Sequence, residues 1–272
     1  IYEGEHKNSE KNGKGEESHF GERQEKILKF KGIYLNGKKW EGKDYYNSTN
    51  IELKEGKGFM REYNNFYGTI TFEGEYKNGE RNGKGKEYND VGGLIYEGEY
   101  LNGKRNGKGE ERSWNDKYII EGEYLYGFKK RGNIYINEIL EYEGDFLFDK
   151  KWNGKGYDEN GNVIYEIING NGKVKEYNNF NGDLIYEGEY LNGIRNGKGK
   201  EYDEYEKLIY EGEYLNGIRN GKGKEYERGK LIFDGEYLNG KRWNGREKKY
   251  DYYKGGLESE ILYINGEINS KK

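Results

Sequence analysis

One phrase recurs along this 272-residue chain at a nearly constant spacing. The sequence LIYEGEYLNGIRNGKGKEY occupies Leu184–Tyr202, returns around Tyr210–Tyr226, and has further copies that start at Tyr96 and Phe72. Successive starts at residues 72, 96 and 120 are 24 positions apart. A period of this length predicts an array of one small unit that packs on its own copies. Such an array offers a long surface and points away from a single reaction centre.

We interpret residues 1–272 as a single array of about eleven units, followed by a partial unit at Glu260–Ile268. Two units are shortened, near residues 51–71 and 165–185, and we expect the array to bend there. The block from about Ile27 is repeated from about Ile139. The recognisable unit starts are Tyr2, Phe30, Phe72, Tyr96, Ile120, Tyr142, Tyr186, Tyr210 and Phe233.

Composition favours a thin structure over a globular core. Only 32% of the residues are hydrophobic, and half of these are aromatic, mostly tyrosine, whereas an ordinary domain is about 45–50% apolar. The regular spacing of the aromatic residues argues against disorder, because a disordered chain has no need of a period. The chain has no cysteine, which excludes disulfides and thiolate chemistry, and no stretch apolar enough to span a membrane. We expect a cytoplasmic location, with peripheral attachment to a membrane or the cytoskeleton as an alternative.

Within each unit the side chains alternate between two faces. Tyr186, Gly188 and Tyr190 fall on one face, and Glu187 and Glu189 fall on the other. This period of two predicts a half-exposed β-strand. The six residues Asn192–Gly197, NGIRNG, contain two Asn-Gly pairs, which are the strongest short signal of a hairpin turn. The next five residues, KGKEY, are predicted to form the returning strand.

One strand register places opposite charges side by side, which stabilises an antiparallel pair. That register consists of the pairs Glu189–Lys198, Glu187–Lys200, Tyr190–Gly197 and Gly188–Gly199, with equivalents at Glu75–Lys84, Glu73–Lys86, Glu213–Lys222 and Glu211–Lys224. On the opposite face it puts large rings over glycines, whose bare backbone a ring can cover. We therefore predict an all-β fold with little or no helix. It would be an elongated, single-layer, twisted antiparallel sheet of tandem β-hairpins, with roughly 22 strands at two per hairpin.

The phrase YEGEYLNGIRNGKG closely resembles the MORN (membrane occupation and recognition nexus) repeat, whose pattern is an aromatic residue, Glu-Gly, a second aromatic residue, Asn-Gly and Gly-x-Gly. The matching residues are Tyr186, Glu187, Gly188, Tyr190, Asn192, Gly193, Gly197 and Gly199, and in a second copy Tyr96, Glu97, Gly98, Tyr100, Asn102, Gly103, Gly107 and Gly109. The resemblance covers nearly the whole chain. The family usually has tryptophan at the fifth position, where this chain has tyrosine, and the two shortened units depart from the pattern.

The resemblance implies an elongated, all-antiparallel β ribbon with a non-enzymatic role. The family's roles include scaffolding, dimerisation and association with membranes or phosphoinositides. The family also joins such arrays to catalytic domains, none of which is recognisable in these residues.

No motif in the chain predicts catalysis, a metal or a cofactor. Gly98 to Lys104 resembles the start of a phosphate-binding loop, but Arg105 stands where Ser or Thr is required and no helix pattern follows. His6 and His19 have no cysteine or second histidine pair to complete a metal site or a triad. We expect both to be surface residues.

Basic residues collect at the predicted hairpin tips, which should all lie along one edge of the ribbon. This predicted anionic-partner edge consists of Lys38, Lys39, Arg81, Lys104, Arg105, Lys129, Lys130, Lys150, Lys151, Arg195, Arg219, Lys241 and Arg242. Acidic residues collect in the connections between repeats. The edge would meet phospholipid headgroups or an acidic protein, although charged tips also simply keep turns solvated and prevent edge association. Nucleic acid is disfavoured by the net charge of −4.

The aromatic face offers a second candidate surface, because contiguous exposed apolar area marks interaction sites. A partner groove is predicted along Tyr96, Tyr100, Tyr186, Tyr190, Tyr210 and Tyr214. The alternative is that these rings only pack within the ribbon.

Three functions follow from the sequence. The first is a non-enzymatic scaffold that binds a protein partner or a second copy of itself. The second is peripheral binding of anionic phospholipid through the basic edge. The third is the targeting arm of a larger enzyme whose catalytic domain lies outside this chain. The sequence predicts no cofactor.

Overall fold

The computed structural model describes residues 1–20, 25–45, 51–64, 66–251 and 256–269. Within these ranges the chain forms 24 β-strands and no helix. The predicted all-β fold of tandem antiparallel hairpins is therefore confirmed. The chain divides into two compact units. The N-terminal unit comprises Ile1–Asn115 and Ile119–Gly132, and the C-terminal unit comprises Asp116–Tyr118 and Asn133–Lys272.

In the N-terminal unit each strand pairs antiparallel with the next one along the chain. The strands are β1 (Tyr2–Lys7), β2 (Glu10–Phe20), β3 (Lys26–Leu35), β4 (Lys38–Asp44), β5 (Ile51–Lys54), β6 (Lys57–Tyr63), β7 (Ile70–Lys77), β8 (Glu80–Tyr88), β9 (Leu94–Leu101), β10 (Lys104–Arg112) and β11 (Tyr118–Leu125). The next strand, β12 (Phe128–Ile136), belongs to this unit up to Gly132.

The C-terminal unit follows the same rule of consecutive antiparallel pairing. Its strands are β13 (Ile139–Leu147), β14 (Lys150–Tyr157), β15 (Val163–Ile168), β16 (Asn171–Tyr177), β17 (Leu184–Leu191), β18 (Ile194–Tyr202), β19 (Leu208–Leu215), β20 (Ile218–Glu227), β21 (Lys230–Leu238), β22 (Lys241–Tyr250), β23 (Leu257–Ile264) and β24 (Glu267–Asn269). The hairpin β15–β16 and its counterpart β5–β6 are the two shortened units.

In the repeat that begins at Tyr186, the hairpin turn uses only the first of the two Asn-Gly pairs. Asn192 has φ of 53° and Gly193 has φ of 73°, so both lie in the left-handed region that a two-residue type I′ turn requires. The strand β18 then begins at once, at Ile194. The prediction of a six-residue turn over Asn192–Gly197 was therefore wrong, because the turn has only two residues. The second Asn-Gly pair lies inside β18, where Gly197 has φ of 90° and the strand register shifts.

Because of this bulge, two of the four predicted residue pairs are confirmed and the other two are wrong. Gly188 pairs with Gly199 and Glu187 pairs with Lys200, as predicted. The predicted pair Tyr190–Gly197 was wrong, because the residue opposite Tyr190 is Arg195. Gly197 pairs instead with Tyr214 of the next repeat.

The predicted pair Glu189–Lys198 was also wrong, because the same bulge removes it from the hairpin ladder. An Oε2 atom of Glu189 accepts a hydrogen bond from the backbone N–H of Lys198 at 3.0 Å. Glu213 and Lys222 repeat this contact at 2.8 Å. The second glutamate of the phrase therefore caps the bulge by satisfying a backbone donor that the shifted ladder leaves unpaired.

Candidate functional site

The aromatic face is the face of each unit that carries the rings of the repeated phrase, and it is closely packed. The ring of Tyr186 lies over the paired glycines Gly188 and Gly199 and is 0% exposed. A Cβ atom added to Gly199 would lie 2.6 Å from Cζ of Tyr186, and one added to Gly188 would lie 2.6 Å from Cα of Gly199. Only glycine leaves room for the ring at these two positions. Burial raises the pKa of Tyr186.

In five repeats a guanidinium group lies over the first buried ring of the phrase. The carbon Cζ of Arg195 lies 4.2 Å from the ring centroid of Tyr186, a distance typical of a cation–π contact. The equivalent pairs are Arg81–Phe72 at 4.0 Å, Arg105–Tyr96 at 4.0 Å, Arg219–Tyr210 at 4.1 Å and Arg242–Phe233 at 4.8 Å. A ring from the next repeat completes the enclosure, since Tyr186 and Tyr214 meet edge to face with centroids 5.4 Å apart.

Each of these arginines also joins two repeats through glutamates. The guanidinium of Arg195 donates to Glu176 of the preceding repeat at 2.7 Å and to Glu201 of its own repeat at 3.3 Å. Arg219 then contacts Glu201 and donates to Glu225 at 3.1 Å. Positive and negative groups therefore alternate from repeat to repeat, and we call this row the arginine–glutamate series.

The N-terminal unit contains an equivalent series. Arg81 lies 2.5 Å from Glu62 and 3.5 Å from Glu87, and Arg105 lies 2.5 Å from Glu87 and 2.8 Å from Glu111. Burial opposes ionisation of the carboxyl groups, but the hydrogen bonds from Arg81 and Arg105 outweigh it and lower the pKa of Glu62 and of Glu87. Arg81 and Arg105 therefore hold Glu62 and Glu87 in the charged form.

Eight of the thirteen residues of the predicted basic edge occupy this arginine position or its lysine equivalent. These half-buried residues are Lys39, Arg81, Arg105, Lys129, Lys151, Arg195, Arg219 and Arg242. Their placement at solvent-exposed tips was wrong, because the turn is two residues long and the next strand turns them onto the aromatic face. The other five are exposed, namely Lys38, Lys104, Lys130, Lys150 and Lys241. Two of these five have ion-pair partners, Lys38 with Glu80 and Lys130 with Glu123.

The tyrosines of the predicted groove lie within the packing of the aromatic face. Tyr96, Tyr100, Tyr186, Tyr210 and Tyr214 are buried, and Tyr190 is half-buried. Arginine side chains and rings of adjacent repeats cover the five buried rings, which is the arrangement that the alternative of packing within the ribbon describes. A partner groove at these positions stays a prediction that would require the cover to move.

Each shortened unit encloses a buried polar cluster that sequence reasoning missed. In the C-terminal unit, Nζ of Lys151 lies 2.8 Å from Glu141 and 2.8 Å from the hydroxyl of Tyr165, which itself donates to Glu141. The Lys151 and Glu141 side chains are only 10% and 6% exposed. Burial lowers the pKa of Lys151.

The N-terminal unit holds a different cluster at the corresponding place. Tyr63 donates to the buried Asp44 at 2.9 Å, and Nζ of the buried Lys29 lies 5.4 Å from the Tyr63 ring centroid. The sequence carries a signal for both clusters. Lys29 and Glu141 stand directly before the first aromatic residue of the repeated phrase, where the repeats at Tyr96, Tyr186 and Tyr210 have isoleucine.

The opposite face, which we call the charged face, carries the glutamates and lysines of the ladder. In the C-terminal unit it forms a trough of about 860 Å³ that extends from Ile164 on β15 to Asp234 on β21. Glu187 and Lys200 form an ion pair at 3.4 Å on this face. Tyr202 donates to Glu187 at 2.7 Å. Burial by itself would raise the pKa of Glu187, but the bonds from Tyr202 and Lys200 outweigh burial and lower it.

The histidines and the acidic residues form no recognisable reaction centre in the described ranges. His6 packs edge to face on Tyr2, with centroids 5.1 Å apart. His19 is buried, contrary to the expectation of a surface residue, and burial lowers its pKa. Among the described residues, no group of three or more histidine and carboxylate side chains could hold a metal ion.

Comparison with known proteins identifies the repeat. The family model of the MORN repeat matches residues 72–93, 96–113, 186–204 and 210–229. The predicted resemblance to the MORN repeat is therefore confirmed at these four positions. None of the curated proteins matches the chain. In the part of the chain that the structure describes, no helix could cross a membrane.

Proposed function

We propose that this chain is a non-enzymatic repeat scaffold that binds a protein partner or a second copy of itself. The observation that supports this proposal is the contrast between the two faces of the repeat. On the aromatic face, the arginines of the arginine–glutamate series pack on the buried rings and pair with the glutamates, so these groups are already engaged within the chain. On the charged face of the C-terminal unit, glutamate and lysine side chains return at the same positions from repeat to repeat and line an open trough. A surface that repeats at a fixed spacing suits recognition of an extended partner.

A site-specific photo-crosslinker tests the proposal. Leu191, which is exposed beside a hairpin turn, would carry the crosslinker, and Val91, exposed in a connection between strands, would carry it in the matched control. We expect proteins from the native cells to be crosslinked through position 191 and not through position 91. Each candidate would then be purified and titrated against the chain. Sedimentation of the chain alone measures self-association. A strictly monomeric chain with no purified partner would contradict the proposal.

A second candidate function is peripheral binding to anionic phospholipid. The observation that favours it is that Lys38, Lys104, Lys130, Lys150 and Lys241 remain exposed. Basic residues close to an anionic membrane contribute about 1 kcal/mol each, and salt screens this attraction.

Flotation with phosphatidylserine vesicles over a salt series tests the lipid candidate. Substitution of Lys38, Lys104 and Lys241 by glutamine should abolish flotation at low salt. The matched control substitutes Lys173, Lys200 and Lys224 on the charged face, which should leave it unchanged. Absence of flotation at low salt would exclude lipid binding through these tips. A role as the targeting arm of a larger enzyme stays a prediction, because it concerns sequence beyond this chain.

A further inference from the structure

The trough on the charged face of the C-terminal unit has a regular arrangement of charge. Each strand contributes two like charges, and the sign changes from each strand to the next. Lysines lie on β16, β18 and β20, and carboxylates lie on β17, β19 and β21. The strand register aligns the row Lys175, Glu187, Lys200, Glu211, Lys224 and Asp234. A parallel row crosses the same strands through Lys173, Glu189, Lys198, Glu213, Lys222 and Glu236.

These charges are only loosely engaged with one another. The side chains of Lys200 and Glu187 are 47% and 34% exposed, and their nitrogen and oxygen atoms lie 3.4 Å apart. An exposed pair of this kind contributes little to stability, so Lys200 can exchange Glu187 for another carboxylate at little cost, while Tyr202 continues to donate to Glu187. The arginine–glutamate series on the aromatic face differs, because its members are half-buried and several are held by two bonds each.

An aliphatic strip borders the trough along the hairpin turns. Leu191 pairs with Ile194 across one turn, and Leu215 pairs with Ile218 across the next. Leu191 is two residues beyond Glu189, so strand alternation places it on the charged face. All four side chains are exposed, Leu191 and Leu215 by 50% each. A Cβ atom on Gly217 would lie 3.2 Å from Cγ2 of Ile194, so adjacent turns touch and the strip is continuous.

The distance between neighbouring strands determines whether a helix or an extended strand can follow both the charge rows and the aliphatic strip. Neighbouring strands lie about 4.7–4.9 Å apart. Successive turns of an α-helix lie about 5.4 Å apart, so a helix crossing the strands falls out of step by only about 0.6 Å per strand. Same-side residues of an extended strand lie about 6.6–6.8 Å apart, which falls out of step by about 2 Å per strand. Over six strands, long lysine and glutamate side chains can compensate for the small mismatch of a helix but not for the larger mismatch of an extended strand.

We propose that the trough binds an α-helix of a partner protein that crosses β16–β21 at right angles and whose trough-facing residues alternate in sign at each turn. An aliphatic residue beside each charge packs on the strip of Leu191, Ile194, Leu215 and Ile218. The inference rests on the proposed protein-binding function and names the partner's chemistry. The alternating signs select the register and the direction of the helix, since a shift by one turn places like charges together.

The N-terminal unit provides an internal comparison, because its charge pattern does not alternate throughout. Glu97, Glu110 and Glu121 lie in register on the consecutive strands β9, β10 and β11. A helix with alternating signs would meet three carboxylates in succession there. The proposal therefore confines binding to the C-terminal unit.

Two synthetic helical peptides of identical composition test the inference. Each has about 22 residues, or six turns at 3.6 residues per turn. One alternates glutamate and lysine at successive turns of one face, and the other places all glutamates in the first half and all lysines in the second. Both carry leucine beside each charge. Fluorescence anisotropy measures their binding to the full chain. We expect the alternating peptide to bind at least about tenfold more tightly, a difference that a few matched pairs can supply.

Variants of the full chain locate the site. The double substitution Leu191→Ser with Leu215→Ser should weaken binding of the alternating peptide about tenfold. Leu101→Ser with Leu125→Ser, at the equivalent exposed positions of the N-terminal unit, should leave it unchanged. Lys200→Gln with Lys224→Gln should reduce the preference for the alternating peptide. Circular dichroism checks that each variant keeps its β-sheet.

Equal binding of the two peptides, or binding that survives the Leu191 and Leu215 substitutions in a folded variant, would overturn the inference. Absence of binding by both peptides would overturn it as well. The protein-binding function would still stand in each case if a purified partner crosslinks at position 191. A partner whose crosslinked segment is an extended strand or a lipid-bearing segment would refute the helix and leave the scaffold role intact.

Discussion

Arg195 covers the ring of Tyr186, with its guanidinium carbon 4.2 Å from the ring centroid, while Glu176 and Glu201 hold its nitrogens. One side chain thus closes the aromatic face of its own repeat and binds the preceding repeat. The position recurs as Arg81, Arg105, Arg219 and Arg242. The stability of the array should therefore depend on these arginines more than on any exposed cation.

Replacing one arginine of the series should destabilise the fold measurably. Arg219→Met leaves Glu201 and Glu225 without a shared donor, and we expect a loss of about 1.5–3 kcal/mol in the free energy of unfolding. Arg246→Met is the matched control, because Arg246 is 71% exposed and lies 3.9 Å from Glu260. The control should change stability by less than about 0.5 kcal/mol. Urea unfolding measures both, and equal losses would contradict the structural role of the series.

Adding one methyl group beneath a buried ring should also destabilise the fold. Gly199→Ala places its Cβ 2.6 Å from Cζ of Tyr186, which forces the ring or the strand to move. We expect a cost of about 1–3 kcal/mol, typical of overpacking. Gly256→Ala is the control, since nothing lies within 4 Å of the added Cβ. Thermal unfolding compares the two variants, and an unchanged melting temperature for Gly199→Ala would refute the close packing.

Acid should weaken the N-terminal unit through its paired carboxyl groups. Burial disfavours the charged form of Glu17, but Lys39 and Lys11 outweigh it and lower its pKa from 4.5 to about 2. Because the folded pKa lies below the unfolded one, this contribution is fully present above about pH 4.5 and is lost as the pH falls to about 2. Glu62 and Glu87 shift in the same direction.

Urea unfolding at a series of pH values checks this dependence. The free energy of unfolding should fall steadily within that acid window. The variant Glu17→Gln should be less stable at neutral pH and should show a shallower decline. A parallel decline in the variant and the parent would show that Glu17 contributes nothing to the acid response.

The buried cluster at the second shortened unit should behave as a coupled pair. Glu141→Gln or Lys151→Met alone leaves one buried charge without compensation, and each should cost about 3–5 kcal/mol. The double variant should cost less than the sum of the singles, with a coupling of about 0.5–3 kcal/mol. Denaturant unfolding of the four proteins completes the cycle. Strict additivity would show that the two groups do not interact.

The strands of this fold could be predicted from the sequence because alternation and Asn-Gly pairs report directly on local backbone conformation. The pairs Gly188–Gly199 and Glu187–Lys200 followed from charge matching alone. The local sequence could not show which of the two Asn-Gly pairs forms the turn, because both pairs have the same two residues. The deciding contact pairs Gly197 with Tyr214, which lies in the next repeat.

The error in the turn explains the error in the candidate site. A six-residue turn places Arg195 in solvent, whereas a two-residue turn places it in a strand above Tyr186. Its partner Glu176 lies 19 residues earlier and belongs to a shortened unit. Nothing in the local sequence connects these two residues. The alternating charge of the trough, in contrast, was already present in the predicted Glu–Lys ladder.

The turn glycines have a consequence for how such a chain changes length. The N–H of Gly217 donates to the carbonyl of Arg195 at 2.8 Å, and the N–H of Gly240 donates to that of Arg219 at 2.9 Å. Gly103 and Gly127 donate in the same way to Arg81 and Arg105, so hairpins that follow a regular hairpin share one kind of junction. A gene could gain or lose one complete 24-residue copy and still join the remaining hairpins correctly. The two shortened units are the places where such an exchange would fail, because each contains a buried polar cluster that the regular copies lack.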